Sequence, residues 1–364
     1  MSPSRTLSIP SPATKRAPAR RAGSAAWTGC GESGPCRGGS SARLVALLVA
    51  LTAPGCLAAD ADRIPRTNLI TGSTGGSWYA IGSAISERTN LAFPGHPLTA
   101  VPGAGGISNP ARVARVPGDL GMSFLPFLRA AHRGDPPYRR AYRELRHVAT
   151  LIENKLHVLV ADRLGIGHLE EIATRRLPVR IGAGPPGSGE EFLLREILAF
   201  HGISYDDVRK WGGRIDLLGT GERADAWRDY HVDVIVFTIN EPAAVITELL
   251  LTRPSRLLEV PADVSRALQT QWGTSRATIG GGLYPDHDEA IQTVGMPAVV
   301  FATEDVSEEL TYALVRALAE GHDYLETVHP AFRQWTPLDM IASAGVPRHD
   351  GAARYYREQG WIDP

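Results

Sequence analysis

From Thr67 onward the hydrophobic positions follow two alternating rhythms. Short unbroken apolar runs, bounded by Gly, Pro, Asn or Asp, predict strands at 68–71, 98–101, 120–124, 148–152, 157–161, 179–182, 215–218, 232–238, 257–260 and 298–302. Between most of them apolar residues recur at three- and four-residue spacing, which predicts helices. In 307–322, Leu310, Leu314, Ala317, Leu318 and Gly321 share a face, Ser307 suits the N-cap, and Glu308 and Glu309 suit the positive end of the helix. In 189–201, Leu193, Leu194, Ile197 and Leu198 form the stripe, and Gly202 follows as a natural stop. Such strand–helix alternation predicts an α/β protein with mostly parallel sheets covered by helices.

The N-terminal stretch reads differently. Its first 43 residues are rich in Ser, Pro, Gly, Ala and Arg; an uncharged apolar run, Leu44 to Thr52, follows, and then Pro54-Gly55-Cys56-Leu57-Ala58-Ala59. A basic region, a short apolar region and small residues in this order predict a secretory leader over 1–59 with cleavage near Ala59. The apolar run is far shorter than the ~20 residues a membrane helix needs. Acylation at Cys56 is the less favoured alternative, because Ala53 and Pro54 make a poor lipobox. Seven Lys/Arg stand against Glu32 alone before Asp60, so a net charge of −1 leaves the rest of the chain acidic. An acidic body argues against general nucleic-acid binding. Cys30, Cys36 and Cys56 all fall in the leader, which removes disulfide, thiol and Cys-ligated metal chemistry from the mature chain.

Three glycine-bearing turns each follow a predicted strand and open a helix. They are Thr71-Gly72-Ser73-Thr74-Gly75-Gly76-Ser77, Pro102-Gly103-Ala104-Gly105-Gly106 and Gly182-Ala183-Gly184-Pro185-Pro186-Gly187-Ser188-Gly189. Backbone N–H groups at a helix start form an anion cradle, and three at strand ends suggest one shared ligand crevice. The third matches G-x-G-x-x-G, but its two prolines remove amide donors, so a dinucleotide reading is rejected. Asp286-His287-Asp288-Glu289 reads as a solvated loop rather than a metal site. Neither Ser73 nor Ser188 lies in a G-x-S-x-G elbow. No catalytic constellation, cofactor or metal is expected.

These residues resemble the TAXI branch of the TRAP-transporter solute receptors. Leu69-Ile70-Thr71-Gly72-Ser73-Thr74-Gly75-Gly76-Ser77-Trp78-Tyr79 is similar to that family's N-terminal signature. The likeness continues through Gly118-Asp119-Leu120-Gly121, Gly184 to Gly189, Gly282-Leu283-Tyr284-Pro285, His329-Pro330 and Tyr355 to Gly360. It implies a type II periplasmic-binding-protein fold: two α/β lobes, 63–154 plus 294–364 and 155–293, hinged around a ligand cleft.

Carried over residue by residue, the resemblance implies ligand contacts from Ser73, Thr74, Tyr79, Asn109 and Ser123 in the first lobe. From the second lobe it implies Ser188, Gly189, Thr238 and Tyr284. Three positions depart from the pattern: Phe124 stands where many members have a polar residue, Glu190 where Thr is usual, and Asn240-Glu241-Pro242 where Gly usually stands two before the proline. Because family ligands are carboxylates of glutamate-like and oxo-dicarboxylate type, Glu190 or Glu241 is the candidate acceptor for a ligand ammonium. Both glutamates facing solvent, with a plain organic acid as ligand, is the alternative. The implied function is an extracytoplasmic receptor, monomeric and not an enzyme, that hands a small carboxylate or amino-acid-like ligand to TRAP membrane subunits. A ligand-presenting partner of a membrane histidine kinase is the second reading.

Overall fold

In the computed structural model the described residues are 64–364; the leader, its three cysteines and the expected cleavage point lie outside them. The chain begins with βα units: β1 (Thr67–Ile70), α1 (Ser77–Asn90), β2 (Leu98–Val101), α2 (Ser108–Val113), β3 (Leu120–Phe124) and α3 (Leu125–Arg133). A long strand, β4 (Leu145–Ala161), leads to α4 (Glu171–Thr174), β5 (Arg180–Ala183), α5 (Gly189–Phe200), α6 (Tyr205–Lys210), β6 (Arg214–Leu217) and α7 (Thr220–Arg228). Next come β7 (Val234–Ile239), α8 (Ala244–Thr252), β8 (Ser255–Leu257), α9 (Ala262–Trp272) and β9 (Ser275–Ile279). A second long strand, β10 (Ile291–Thr303), returns the chain to α10 (Glu308–Glu320), α11 (His322–Val328) and α12 (Asp350–Glu358).

The helix starts follow from their caps. Ser188 Oγ accepts the Glu191 amide at 3.3 Å to begin α5, and Ser307 Oγ accepts the Leu310 amide at 3.3 Å to begin α10. Gly202, at φ +71°, stands just past the end of α5, where a left-handed residue is easiest for glycine. Phe192, Leu193, Leu194, Ile197 and Leu198 form the buried face of α5.

Strand order is β2-β1-β3-β10-β4-β7-β5-β6, with β8 on β4 and β9 on β10. The expectation of mostly parallel pairing is corrected. β1 pairs parallel with β2 and β3, and β5 pairs parallel with β6 and β7, but β4 and β10 run against each other and against β3, β7, β8 and β9. They carry the chain out of the first half of the sheet and back, which reverses their direction relative to their neighbours.

The separate strands predicted at 148–152 and 157–161 are one strand. The polar link Glu153-Asn154-Lys155 stays extended because it pairs with Pro297, Met296 and Gly295 of β10, and Lys155 also pairs with Ile239 of β7. Tertiary pairing overrides the local polarity signal. The Lys155–Gly295 pair marks the point where both long strands change neighbours: β4 passes from β10 to β7, and β10 from β9 to β3. The two halves pack on each other through Phe127 of α3 and Phe192 of α5, whose rings lie 4.9 Å apart edge to face. Among the described residues no helix is long and apolar enough to cross a membrane.

Candidate functional site

A cavity of about 60 Å³ opens where the two halves meet. The turns before α1 and α2, both in the first half, form one side. The starts of α5 and α7 and the end of β7, all in the second half, form the other. The first amides of a helix have no intrahelical partner and carry the positive end of its dipole, so α1, α5 and α7 together present the cavity with an anion-favouring surface.

The turns of the two halves touch directly. Gly187 O accepts the amides of Ile107 and Ser108 at 3.1 and 3.2 Å. Gly105 makes this approach possible: its φ is +126°, and a Cβ there would lie 2.9 Å from Ser188 Cα. Ser73 Oγ and Thr220 Oγ1 are 3.0 Å apart, and Ser77 Oγ donates to Asn240 Oδ1 at 3.2 Å.

Of the sequence-derived candidates, Ser73, Ser188, Gly189, Glu190 and Thr238 line the cavity. Thr238 Oγ1 is buried without a partner. The other candidates are placed elsewhere. Thr74 is exposed, and Tyr79 is half-buried outside the lining. Asn109 is fully buried and donates to Thr71 O and Met122 O, both at 2.8 Å, which ties the ends of β1 and β3 together. Ser123 donates to Gly106 O and so fixes the second glycine turn from beneath. Tyr284 uses its hydroxyl on His157 Nε2 at 3.0 Å and on the Ala243 amide at 3.1 Å. The Asn109 Nδ2, Ser123 hydroxyl and Tyr284 hydroxyl are thus committed to the protein itself, while Asn109 Oδ1 is buried without a partner.

Neither glutamate stands alone. Glu241 pairs with Lys155, whose ammonium also donates to Thr278 O at 2.6 Å. Glu190 Oε1 lies 3.0 Å from Arg223 Nη2; the Arg223 side chain is 1% exposed and that of Glu190 14%. Gly184 leaves room for this arrangement, since a Cβ there would lie 2.5 Å from Glu190 Cγ. The alternative of both glutamates facing solvent does not describe the structure.

Sequence reasoning missed Arg223. Its guanidinium lies over the Phe237 ring at 4.3 Å, and its Nε and Nη1 are buried without a hydrogen-bond partner. Burial lowers its pKa from the usual guanidinium value, and the adjacent Glu190 charge works in the opposite direction. An arginine remains charged in a protein, so two donor nitrogens beside an anion-favouring cavity await an acceptor. The available signal was Gly219-Thr220-Gly221, a fourth glycine turn that follows a predicted strand and opens a helix. Also missed was Trp78, whose Nε1 donates to Asn154 Oδ1 at 3.1 Å and whose ring lies 4.8 Å from Phe124 against the cavity.

A model of the NMT1-like family matches residues 69–360. The chain belongs to the NMT1-like family. A solved structure gives the same fold for this NMT1-like protein. MatC from Rhodopseudomonas palustris with bound malate is 15% identical, with 82% of this chain and 99% of that chain covered and a TM-score of 0.51. The periplasmic binding protein BugD is 12% identical, with coverage of 82% and 95% and a TM-score of 0.48. An R. palustris protein with adipate is 16% identical, with coverage of 78% and 98% and a TM-score of 0.45. The mixed α/β architecture is thus that of MatC, with β4 and β10 as the two strands that run between the halves of the sheet.

Proposed function

We propose that this NMT1-like protein is an extracytoplasmic solute-binding receptor that captures a small carboxylate or amino-acid-like ligand and passes it to the membrane subunits of a TRAP-type transporter, without catalysing a reaction. The observation that carries this reading is Arg223, a buried cation with two unpartnered nitrogens in the wall of a cavity where three helix N-termini meet. The malate bound in MatC supports a carboxylate as ligand. The glycine-turn likeness to TAXI receptors supports the transporter partner, and the 1–59 leader supports export with cleavage near Ala59.

In this reading 63–154 plus 294–364 form one lobe and 155–293 the other. They hinge where Lys155 and Gly295 pair, and the ligand contacts are Arg223 with Ser73, Ser188, Gly189, Glu190 and Thr238. Closure brings donors from both lobes onto one ligand, and the ligand shifts the open–closed balance by its differential affinity. The test is native mass spectrometry of the mature protein purified without added ligand, followed by calorimetry with a panel of small carboxylic and amino acids. One acid per chain, with binding lost in Arg223→Gln, is the expected result. A panel without a single binder, and no co-purified acid, overturns the reading.

A further inference from the structure

Arg223 does not meet a ligand alone, because Glu190 sits against it in the same wall. Among the residues lining the cavity these two are the charged ones; the others are Gly, Ala, Pro, Ser, Thr, Ile, Phe and Trp. An ionised carboxylate is an acceptor only, and a guanidinium is a donor only. Their neighbouring tips, Oε1 and Nη2, are 3.0 Å apart. The wall therefore holds a cation, Arg223, with unpartnered donors at Nε and Nη1, and against its Nη2 an acceptor carboxylate, Glu190. A carboxylic acid whose carboxylate sits on Arg223 brings the substituent of its C2 atom next to Glu190.

We infer that Glu190 is the specificity-determining residue of the cleft and selects acids that carry a hydrogen-bond donor at C2, a hydroxyl or an ammonium, over the matching 2-oxo acids. This rests on the receptor reading above and narrows it. A hydroxyl or ammonium donates to Glu190, whereas a keto oxygen is a second acceptor facing a carboxylate across a few ångströms of water-poor space. A site built to hydrogen-bond a donor discriminates strongly against an analogue that lacks it, since its own polar group is then left unpaired. The pairing also accounts for why an acidic residue is tolerated at an anion site. Arg223 holds Glu190 in place, so the carboxylate meets the ligand at its donor-bearing carbon and not at its anionic end.

The experiment is calorimetry on the mature protein with matched acids that differ only at C2: L-lactate, L-alanine and pyruvate, then L-2-hydroxyglutarate, L-glutamate and 2-oxoglutarate. In whichever size class binds, the hydroxy or amino acid is expected to bind at least about tenfold tighter than the oxo acid. Glu190→Gln keeps an oxygen for Arg223 Nη2 and adds an NH2 donor, so the preference should fall to about threefold or less, with the oxo acid gaining affinity. An oxo acid that binds as tightly as its hydroxy and amino partners in the unmodified protein overturns this inference and leaves the receptor standing. A preference unchanged in a folded Glu190→Gln variant does the same. Absence of binding by all six acids overturns the receptor reading for these classes, and this inference with it. If Glu190→Gln does not fold, the matched pairs on the unmodified protein decide alone.

Discussion

Ser73 Oγ and Thr220 Oγ1, 147 positions apart in the chain, meet at 3.0 Å across the mouth of the cavity and join the glycine turn before α1 to the one before α7. A hydrogen bond of this kind contributes about 1 kcal/mol net. Because its two ends belong to opposite halves of the sheet, that energy counts toward closure and little toward the stability of either half. Thr220→Val keeps the shape and removes the hydroxyl. The acid that binds most tightly in calorimetry should bind about fivefold more weakly, with the melting temperature changed by only a degree or two. A large drop in melting temperature with unchanged affinity would place the bond in folding instead.

Gly105 controls how closely the halves approach. A methyl group there would lie 2.9 Å from Ser188 Cα, and the +126° φ of this residue is itself costly for any other side chain. Gly105→Ala should separate the turns and break the bonds from Ile107 and Ser108 to Gly187 O. Deuterium exchange at the Ile107 and Ser108 amides should then rise markedly, while β4 and β10 remain protected. Equal protection of those two amides in both proteins would show that the turn accommodates the methyl group.

Much of this was legible in the sequence. The glycine turns, the Ser188 and Ser307 caps and most strands could be read because their signals are local: a missing Cβ, a hydroxyl before a helix, a short apolar run. Strand β9 was missed because Ser275-Arg276-Ala277-Thr278-Ile279 alternates weakly and owes its conformation to pairing with Ile291–Gly295. The site was half legible for the same reason. Ser73, Ser188, Gly189, Glu190 and Thr238 stand at strand or helix ends and share the cavity, but Arg223 lies within the first turns of α7 among exposed charged residues. Only the tertiary placement of α7 turns it inward. Asn109 and Ser123 carry the polarity expected of ligand contacts, yet they hold backbone.

Asn109 can be separated from ligand binding by measurement. Its amide closes the gap between the carbonyls of Thr71 and Met122 in a fully buried site. Asn109→Ala leaves those acceptors without their donor and opens a small void, which should destabilise the protein by about 2–3 kcal/mol. Denaturant unfolding should show a lower midpoint with an unchanged slope. Loss of ligand affinity at full stability would instead return Asn109 to the binding surface.

The Arg223–Glu190 pair should reveal itself as functional rather than stabilising. Taking two charges out of water is costly, and well-packed uncharged replacements for a buried pair are often neutral or more stable by 1–4 kcal/mol. The double variant Arg223→Met, Glu190→Gln keeps the side-chain volumes close to the originals beside Phe237. Its melting temperature should equal or exceed that of the parent, while carboxylate binding disappears. A strongly destabilised double variant would mean that the pair organises α5 and α7.

Buried histidines shape the response to acid: burial lowers His132, His329 and His349, and lowers His157 and His147 furthest. Burial pushes the His157 ring down to about 4; its bond to Lys155 O opposes this, and the nearby Lys155 charge adds a smaller push downward. Burial, with Arg348 nearby, brings His147 to about 3. Both rings are neutral in the folded protein at pH values where an unfolded histidine, near 6.5, already takes up a proton. The unfolded state therefore binds more protons below pH 6.5, and stability rises with pH across that window. It is fully present above about pH 6.5 and falls by about 1.4 kcal/mol per pH unit for each ring as the pH drops toward the folded-state value. Thermal melts from pH 7.5 to pH 5 should show a steady decline. His157→Asn should be less stable at pH 7.5, through loss of the bond to Tyr284, and should show a shallower slope than the parent between pH 6.5 and 5. A melting temperature that holds level or rises on acidification would mean that these rings are protonated in the folded protein, and would require an anionic partner for them.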